Sequence, residues 1–145
     1  MQNLKKTRVI LLAVLLAGVL SACGGAKETV ISGEERDSVL AYSEAKTDNL
    51  LAGLNAGDYA VFSKEFDHDM LKAMPQSGFE KLKTDRDARL GSYLSRQVNQ
   101  VTLSESGKFV AVIYDAVFEK DDAVSMRVVF RAEEPHQISG LWFNK

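Results

Sequence analysis

The spacing of apolar residues changes once along the chain, at Gly91, and this change constrains the fold more than any other feature. Before Gly91 the apolar residues recur at helical intervals, and after it they alternate with polar residues as in half-buried strands. Three turn signals divide the second part into four strands: Ser106-Gly107, Asp121-Asp122 and Glu134-Pro135. Helices followed by an antiparallel meander predict an α+β domain, with N-terminal helices packed on one face of a curved four-stranded sheet.

The longest predicted helix begins at a capping-box sequence, Ser32 to Glu35, and continues to about Asn55. Its inward stripe is apolar at both ends, but Ser43 and Thr47 occupy its middle, where Leu or Val is expected. Two interpretations are open, because such hydroxyls either bond to carbonyls one turn earlier or face a cavity.

A later helix is predicted to open at a second capping box, Ser77 to Glu80, and to close at Gly91. Arg86 lies on its apolar stripe, where an arginine usually lays its methylenes on the core and its guanidinium in water. It can alternatively orient a carboxylate or headgroup at a cavity mouth, or pair with an acidic neighbour such as Asp58. We therefore predict a possible polar-lined cavity made by Ser43, Thr47, Arg86 and Tyr114.

The N-terminal segment carries Lys5, Lys6 and Arg8, then an apolar run, then Leu20-Ser21-Ala22-Cys23. These are the parts of a signal peptide, predicted at 1–22, and the 14 residues of 9–22 are too few for a spanning helix of about 20. The last four residues resemble the lipobox of prokaryotic lipoproteins. The resemblance implies that Cys23 is lipidated and that the protein is anchored to a membrane of the cell envelope, facing outside the cytoplasm.

Residues 23–31 are predicted to form a short lipidated tether, followed by one domain over 32–145. An Asp directly after the lipidated Cys resembles an inner-membrane retention signal, and this chain has Gly24 there. The resemblance therefore favours the outer membrane in a host that has two membranes.

The charge of the mature chain argues against a nucleic-acid partner. Residues 1–22 take away 3 of the 18 basic residues and none of the 20 acidic ones, so the net charge becomes 15 − 20 = −5. A negative surface is a poor match for polyanions. Cys23 is the only cysteine, so lipidation leaves no thiolate for a metal or a disulfide, and we predict no cofactor.

Four stretches of the chain carry a resemblance to a known family: residues 49–59, 62–67, 114–120 and 138–143. They are similar to the domain of unknown function 3887 family, within the nuclear-transport-factor-2-like and cystatin-like α+β cones. The resemblance covers roughly Ser32 to Phe143 and implies a cone-like fold. Such cones serve as isomerases, as dehydratases and as binding modules, so fold alone does not assign an activity.

A catalytic set of residues is not evident. His68 stands between Asp67 and Asp69, but a metal needs three or four converging ligands, and an acid–base pair needs His68 and a carboxylate such as Asp115 in one cavity. We therefore predict a non-catalytic binding or accessory module for a small apolar or amphipathic ligand or an envelope protein. The alternatives are an isomerase- or dehydratase-like enzyme and a structural module.

The last predicted strand presents an aromatic ring to each side of the sheet, because Trp142 and Phe143 are neighbours on an alternating strand. Helices on one side cover only one of these rings. Either the tether or a curled sheet covers the other ring, or it forms an exposed patch for a partner or a homodimer.

Overall fold

The computed structural model describes residues 27–144. Its elements, in chain order, are β1 Glu28–Val30, α1 Gly33–Ala56, α2 Tyr59–Phe62, α3 His68–Ala73, α4 Gln76–Arg89, β2 Tyr93–Ser104, β3 Phe109–Phe118, β4 Asp121–Arg131 and β5 Ile138–Asn144. The predicted signal peptide, Cys23 and the first part of the predicted tether lie outside the described residues. Within them, no helix is long and apolar enough to cross a membrane.

The strands form one open antiparallel sheet in the order β1-β2-β3-β4-β5, so the prediction of four strands was wrong. The additional strand is β1, which lies inside the segment predicted to be a tether. Three residues are too few to show a period of two, and β1 forms because the edge of β2 offers unpaired backbone groups. Backbone bonds from Ile31 N to Val101 O (3.0 Å) and from Glu105 N to Lys27 O (2.8 Å) extend the pairing.

The helices cover the inner face of the sheet, and the core lies between them. The inner face carries the buried side chains Val101, Val110, Val112, Tyr114, Ala116, Phe118, Val124, Met126, Val128, Phe130 and Ile138. The alternate residues of the same strands form the outer face, which includes Thr102, Ala111, Asp115, Arg127 and Trp142. The mixed α+β architecture agrees with the prediction.

The predicted end of the first helix near Asn55 is confirmed, and local geometry fixes both this end and the start of α2. Gly57 ends α1 with φ of 72°, a left-handed conformation that favours glycine, and Asp58 caps α2 by accepting from Val61 N at 3.1 Å. Ser32 stands at the N-cap of α1, but its side chain makes no capping hydrogen bond.

Two other boundaries differ from their prediction. Helix α4 begins at Gln76 behind Pro75, whose φ of −68° suits the position before the first turn, and not at the capping box that starts with Ser77. The β3–β4 turn is Glu119-Lys120, two residues before the predicted Asp121-Asp122. Lys120 N donates to Leu90 O at 2.8 Å, and this bond fixes the turn beside the end of α4.

Candidate binding groove

Three of the four predicted cavity residues meet in the core between α1 and β3. Ser43, Thr47 and Tyr114 are fully buried. Thr47 Oγ1 lies 3.2 Å from the Tyr114 hydroxyl, which donates to Glu44 Oε1 at 2.7 Å. Ser43 Oγ has no hydrogen-bond partner within the described part of the chain. These three side chains do not line either of the two clefts described below.

Arg96 on β2 completes this polar cluster and was missed by sequence analysis. Its guanidinium donates to Asp48 Oδ1 at 2.5 Å and Glu44 Oε2 at 3.1 Å, and its central carbon lies 5.0 Å from the centre of the Tyr114 ring. Burial lowers the pKa of Arg96, but hydrogen bonds to Asp48 and Tyr93 outweigh it and raise that pKa. Burial and the hydrogen bond to Glu44 raise the pKa of Tyr114. The cluster holds α1 to the sheet.

Arg86 lies apart from this cluster, among the residues that line the groove described next. It is buried, so the expectation that its guanidinium reaches water was wrong. The guanidinium donates to Asn55 Oδ1 at 2.5 Å and Leu54 O at 3.2 Å, and it forms an ion pair with Asp87 at 2.6 Å. Its ionic partner is therefore Asp87 and not Asp58. Burial lowers the pKa of Arg86, which the charge of Asp87 opposes. Leu54 is in the last turn of α1, where carbonyls lack helical partners, and Arg86 satisfies one of them.

A groove of about 280 Å³ lies between α4 and the C-terminal half of β5, and we take it as the candidate binding site. Leu82 on α4 and Leu90, the C-cap of this helix, form the apolar floor of the groove. Asp85 and Arg89 on α4 form its exposed rim, and the buried Arg86 also lines it. Four consecutive β5 residues, 141–144, also line it. Since consecutive residues point to opposite faces of a strand, the groove runs along the edge of β5 and not beneath one face.

The edge of β5 is covered only at its beginning. Ile138 N donates to Glu65 O at 2.7 Å, and Ile138 O accepts from Asp67 N at 2.9 Å. Beyond this point, the described residues provide β5 with a partner strand only on its β4 side.

Along a strand, the backbone N–H and C=O groups of successive residues point alternately to the two neighbouring strands, and this shows which groups of β5 are unpaired at that edge. Arg131 N bonds to β5, so Val129 and Arg127 also direct their backbone groups towards β5. Trp142 pairs with Arg127, whereas Leu141 and Phe143 pair with Val128 and Met126. The N–H and C=O groups of Leu141 and Phe143 therefore point into the groove.

Trp142 stands on the outer face beside the groove with 49% of its surface exposed. Its ring lies over Gly140, where an added Cβ would approach a ring carbon to 2.1 Å, so a glycine is required there. Phe143 points to the inner face and contacts Phe118 edge to face at 5.7 Å. The two rings thus lie on opposite faces as alternation predicts, and β1 does not cover Trp142, because β1 lies at the other edge of the sheet.

The residues considered for catalysis do not come together. His68 lines a second cleft, of about 290 Å³, together with Asp67 and Arg131 at the opposite end of β4. Asp115 lies exposed on the outer face and accepts from Asn99 Nδ2 at 3.0 Å. Among residues 27–144, no three carboxylate, imidazole or thiol groups are placed to hold a metal ion.

Searches against protein-family models, curated proteins and solved structures find no match to this chain.

Proposed function

We propose that the protein is a lipid-anchored, non-catalytic binding module of the cell envelope. The proposed localisation follows from the N-terminal sequence, in which a basic start and an apolar run precede Leu20-Ser21-Ala22-Cys23. Two or three acyl chains on Cys23 would hold the domain firmly on a bilayer, since each buried methylene contributes about 0.8 kcal/mol. Gly24 favours the outer membrane in a host that has two.

The groove between α4 and β5 is the observation that carries the binding role. It combines an apolar floor, an uncovered strand edge and the half-exposed Trp142, which are features of surfaces that receive partners. Its rim has one carboxylate, Asp85, which is exposed and lacks the burial that a general acid or base requires. The guanidinium groups of Arg86 and Arg89 keep their protons and cannot act as bases.

We also propose that the domain is a cone of the nuclear-transport-factor-2-like type. The order of helices first and antiparallel strands afterwards supports this proposal, as does the packing of the helices on one face. Cones of this type carry many functions, so the fold does not assign an activity.

Membrane fractionation of Cys23→Ser tests the anchor. The wild-type protein is expected in the membrane fraction at mature length, and Cys23→Ser in the soluble fraction or as an unprocessed precursor. Ser21→Ala keeps a small residue in the motif and serves as the matched control, with normal processing expected. Retention of mature-length Cys23→Ser on the membrane would contradict the anchor.

A further inference from the structure

We propose that the groove binds an extended segment of another polypeptide, which adds to the free edge of β5 as a sixth strand. The inference rests on the proposed binding function and specifies its partner. Strand addition uses main-chain hydrogen bonds for affinity and side-chain pockets for selectivity. Main-chain groups and a side-chain pocket are both present here, because the groove runs along the edge of β5.

The backbone of β5 supplies the pairing groups. Leu141 and Phe143 direct their N–H and C=O groups into the groove, and they are two residues apart, about 6.7 Å along a strand. A neighbouring antiparallel or parallel strand bonds to residues at this interval. The parallel bridge between Phe66 and Ile138 already occupies the same edge of β5, three residues before Leu141, so this edge accepts a pairing segment within the chain itself.

The volume of the groove suits side chains better than a whole small molecule. At about 280 Å³ it is slightly smaller than the pockets that enclose drug-sized ligands, which span about 300 to 1,000 Å³. The floor formed by Leu82 and Leu90 can accept the apolar part of one or two side chains that point to the inner face.

The charges on the rim of the groove indicate which side chains the bound segment should carry. Asp85 and Arg89 are exposed, and within the described residues neither has an ion-pair partner. They are four residues apart on α4, about 6 Å along the helix, which is close to the 6.7 Å between alternate residues of a strand. A segment with one basic and one acidic side chain two positions apart matches this pair.

The position of the groove separates it from the predicted anchor. Glu28 pairs with Ser104 at one corner of the sheet, whereas Val124 in the groove pairs with Ala116, which pairs with Arg96. The distance along the strands is 104 − 96 = 8 residues, about 26 Å, and four strand spacings across the sheet add about 19 Å. Cys23 is 28 − 23 = 5 residues from Glu28 and reaches at most about 17 Å. The groove therefore lies far from Glu28, where the predicted tether enters the sheet.

Selection from a random peptide library on the full lipidated chain in detergent micelles tests the proposal. The fluorescence of Trp142, the only tryptophan, reports occupancy of the groove. We expect selected nine-residue peptides that carry a basic and an acidic residue two positions apart, and a shift of the emission to shorter wavelength on binding.

Backbone and charge variants then separate strand addition from other binding. In a bound strand, every second N–H group of the peptide points to β5 and the others point away. N-methylation of the groups that point to β5 should weaken binding about tenfold, and N-methylation of the others should not. Arg89→Gln should weaken binding about threefold, since the pair is exposed. Lys72→Gln removes an exposed charge of α3 outside the groove and should leave binding unchanged.

Three results would overturn the proposal: no enriched peptide, equal tolerance of methylation at both sets, or a dimer by light scattering whose formation alone shifts the Trp142 emission. The second result leaves the proposed binding function intact with a different mode, and the third assigns the edge to a second copy. Failure of the anchor would instead appear only in the fractionation of Cys23→Ser.

Discussion

The carboxylate of Glu28 on β1 forms an ion pair with the guanidinium of Arg127 on β4, across the outer face of the two strands between them. The same carboxylate accepts from Thr102 Oγ1 at 2.9 Å. Thr102 and its pairing partner Ala111 are buried although both point outward. The first strand is therefore held by side chains as well as by its three backbone pairs.

Replacing Glu28 by Gln should loosen β1. The pair is partly exposed, so we expect a loss of about 0.5 to 1 kcal/mol in the free energy of unfolding. Amide hydrogen exchange at residues 29–31 should also become faster. Glu105→Gln, an exposed change in the adjacent turn, is the control and should alter neither quantity.

The contribution of Glu28 should disappear in acid. The hydrogen bond from Arg127 lowers the pKa of the Glu28 carboxyl below 4.5, against the opposing effect of burial. A lowered folded-state pKa gives stability that is present above 4.5 and is lost as the pH falls through the folded-state value. The difference between wild type and Glu28→Gln should thus be seen at pH 7 and vanish near pH 2; an equal difference at both pH values would contradict the ionic origin.

Arg86→Met should destabilise the domain by about 2 to 4 kcal/mol, because it leaves Leu54 O without its donor and Asp87 without its buried partner. Urea unfolding measures the change. Arg89→Met, on the same helix but exposed, should change stability by less than about 0.5 kcal/mol. If Arg86→Met is as stable as wild type but binds the selected peptides poorly, Arg86 belongs to the binding site and not to the helix junction.

Ser43 and Thr47 should respond in opposite directions to loss of their hydroxyls. Ser43 Oγ is buried without a partner, so Ser43→Ala should be neutral or stabilising by up to about 1 kcal/mol. Thr47→Val keeps the shape but removes the contact with the Tyr114 hydroxyl, and should cost about 1 kcal/mol. Thermal unfolding compares the two; a clear loss for Ser43→Ala would indicate a bond that the structure does not contain.

Asp67→Asn should cost about 2 kcal/mol at pH 7, because it weakens the partly buried hydrogen bonds from Arg131 Nε at 2.7 Å and Ser139 Oγ at 2.5 Å. Burial raises the pKa of Asp67, but hydrogen bonds from Ser139, Met70 N and Arg131 together lower it below 3.8. Its stabilisation is present above 3.8 and is lost as the pH falls further. Asp69→Asn, whose side chain is 78% exposed, is the matched control and should change little at either pH.

The α+β class, the end of α1 and most turns could be predicted from sequence, because each depends on neighbours within one turn or one strand. Gly57 ends α1 because its own backbone adopts the left-handed conformation. Asp58 caps α2 by accepting a hydrogen bond from the N–H of Val61, three residues later. The β3–β4 turn was placed wrongly because it depends on a contact beyond this range, the hydrogen bond from Lys120 N to Leu90 O. For the same reason, the sequence could not show that Thr47 meets Tyr114 in the core whereas Arg86 lines the groove. Inward stripes indicate which residues are buried but not which of them meet.

The sequence by itself determined the alternation of buried and exposed residues, the helix-then-strand order and the motif at Cys23, since these are local patterns of side-chain chemistry. Tertiary structure alone decided that β1 joins the sheet, that Arg86 is buried and that the edge of β5 faces a groove. These features depend on partners far apart in the chain, 99 residues for Glu28 with Arg127 and 31 for Arg86 with Asn55. Such pairs leave no periodic signal, because their distance is set by how the whole sheet and its helices pack.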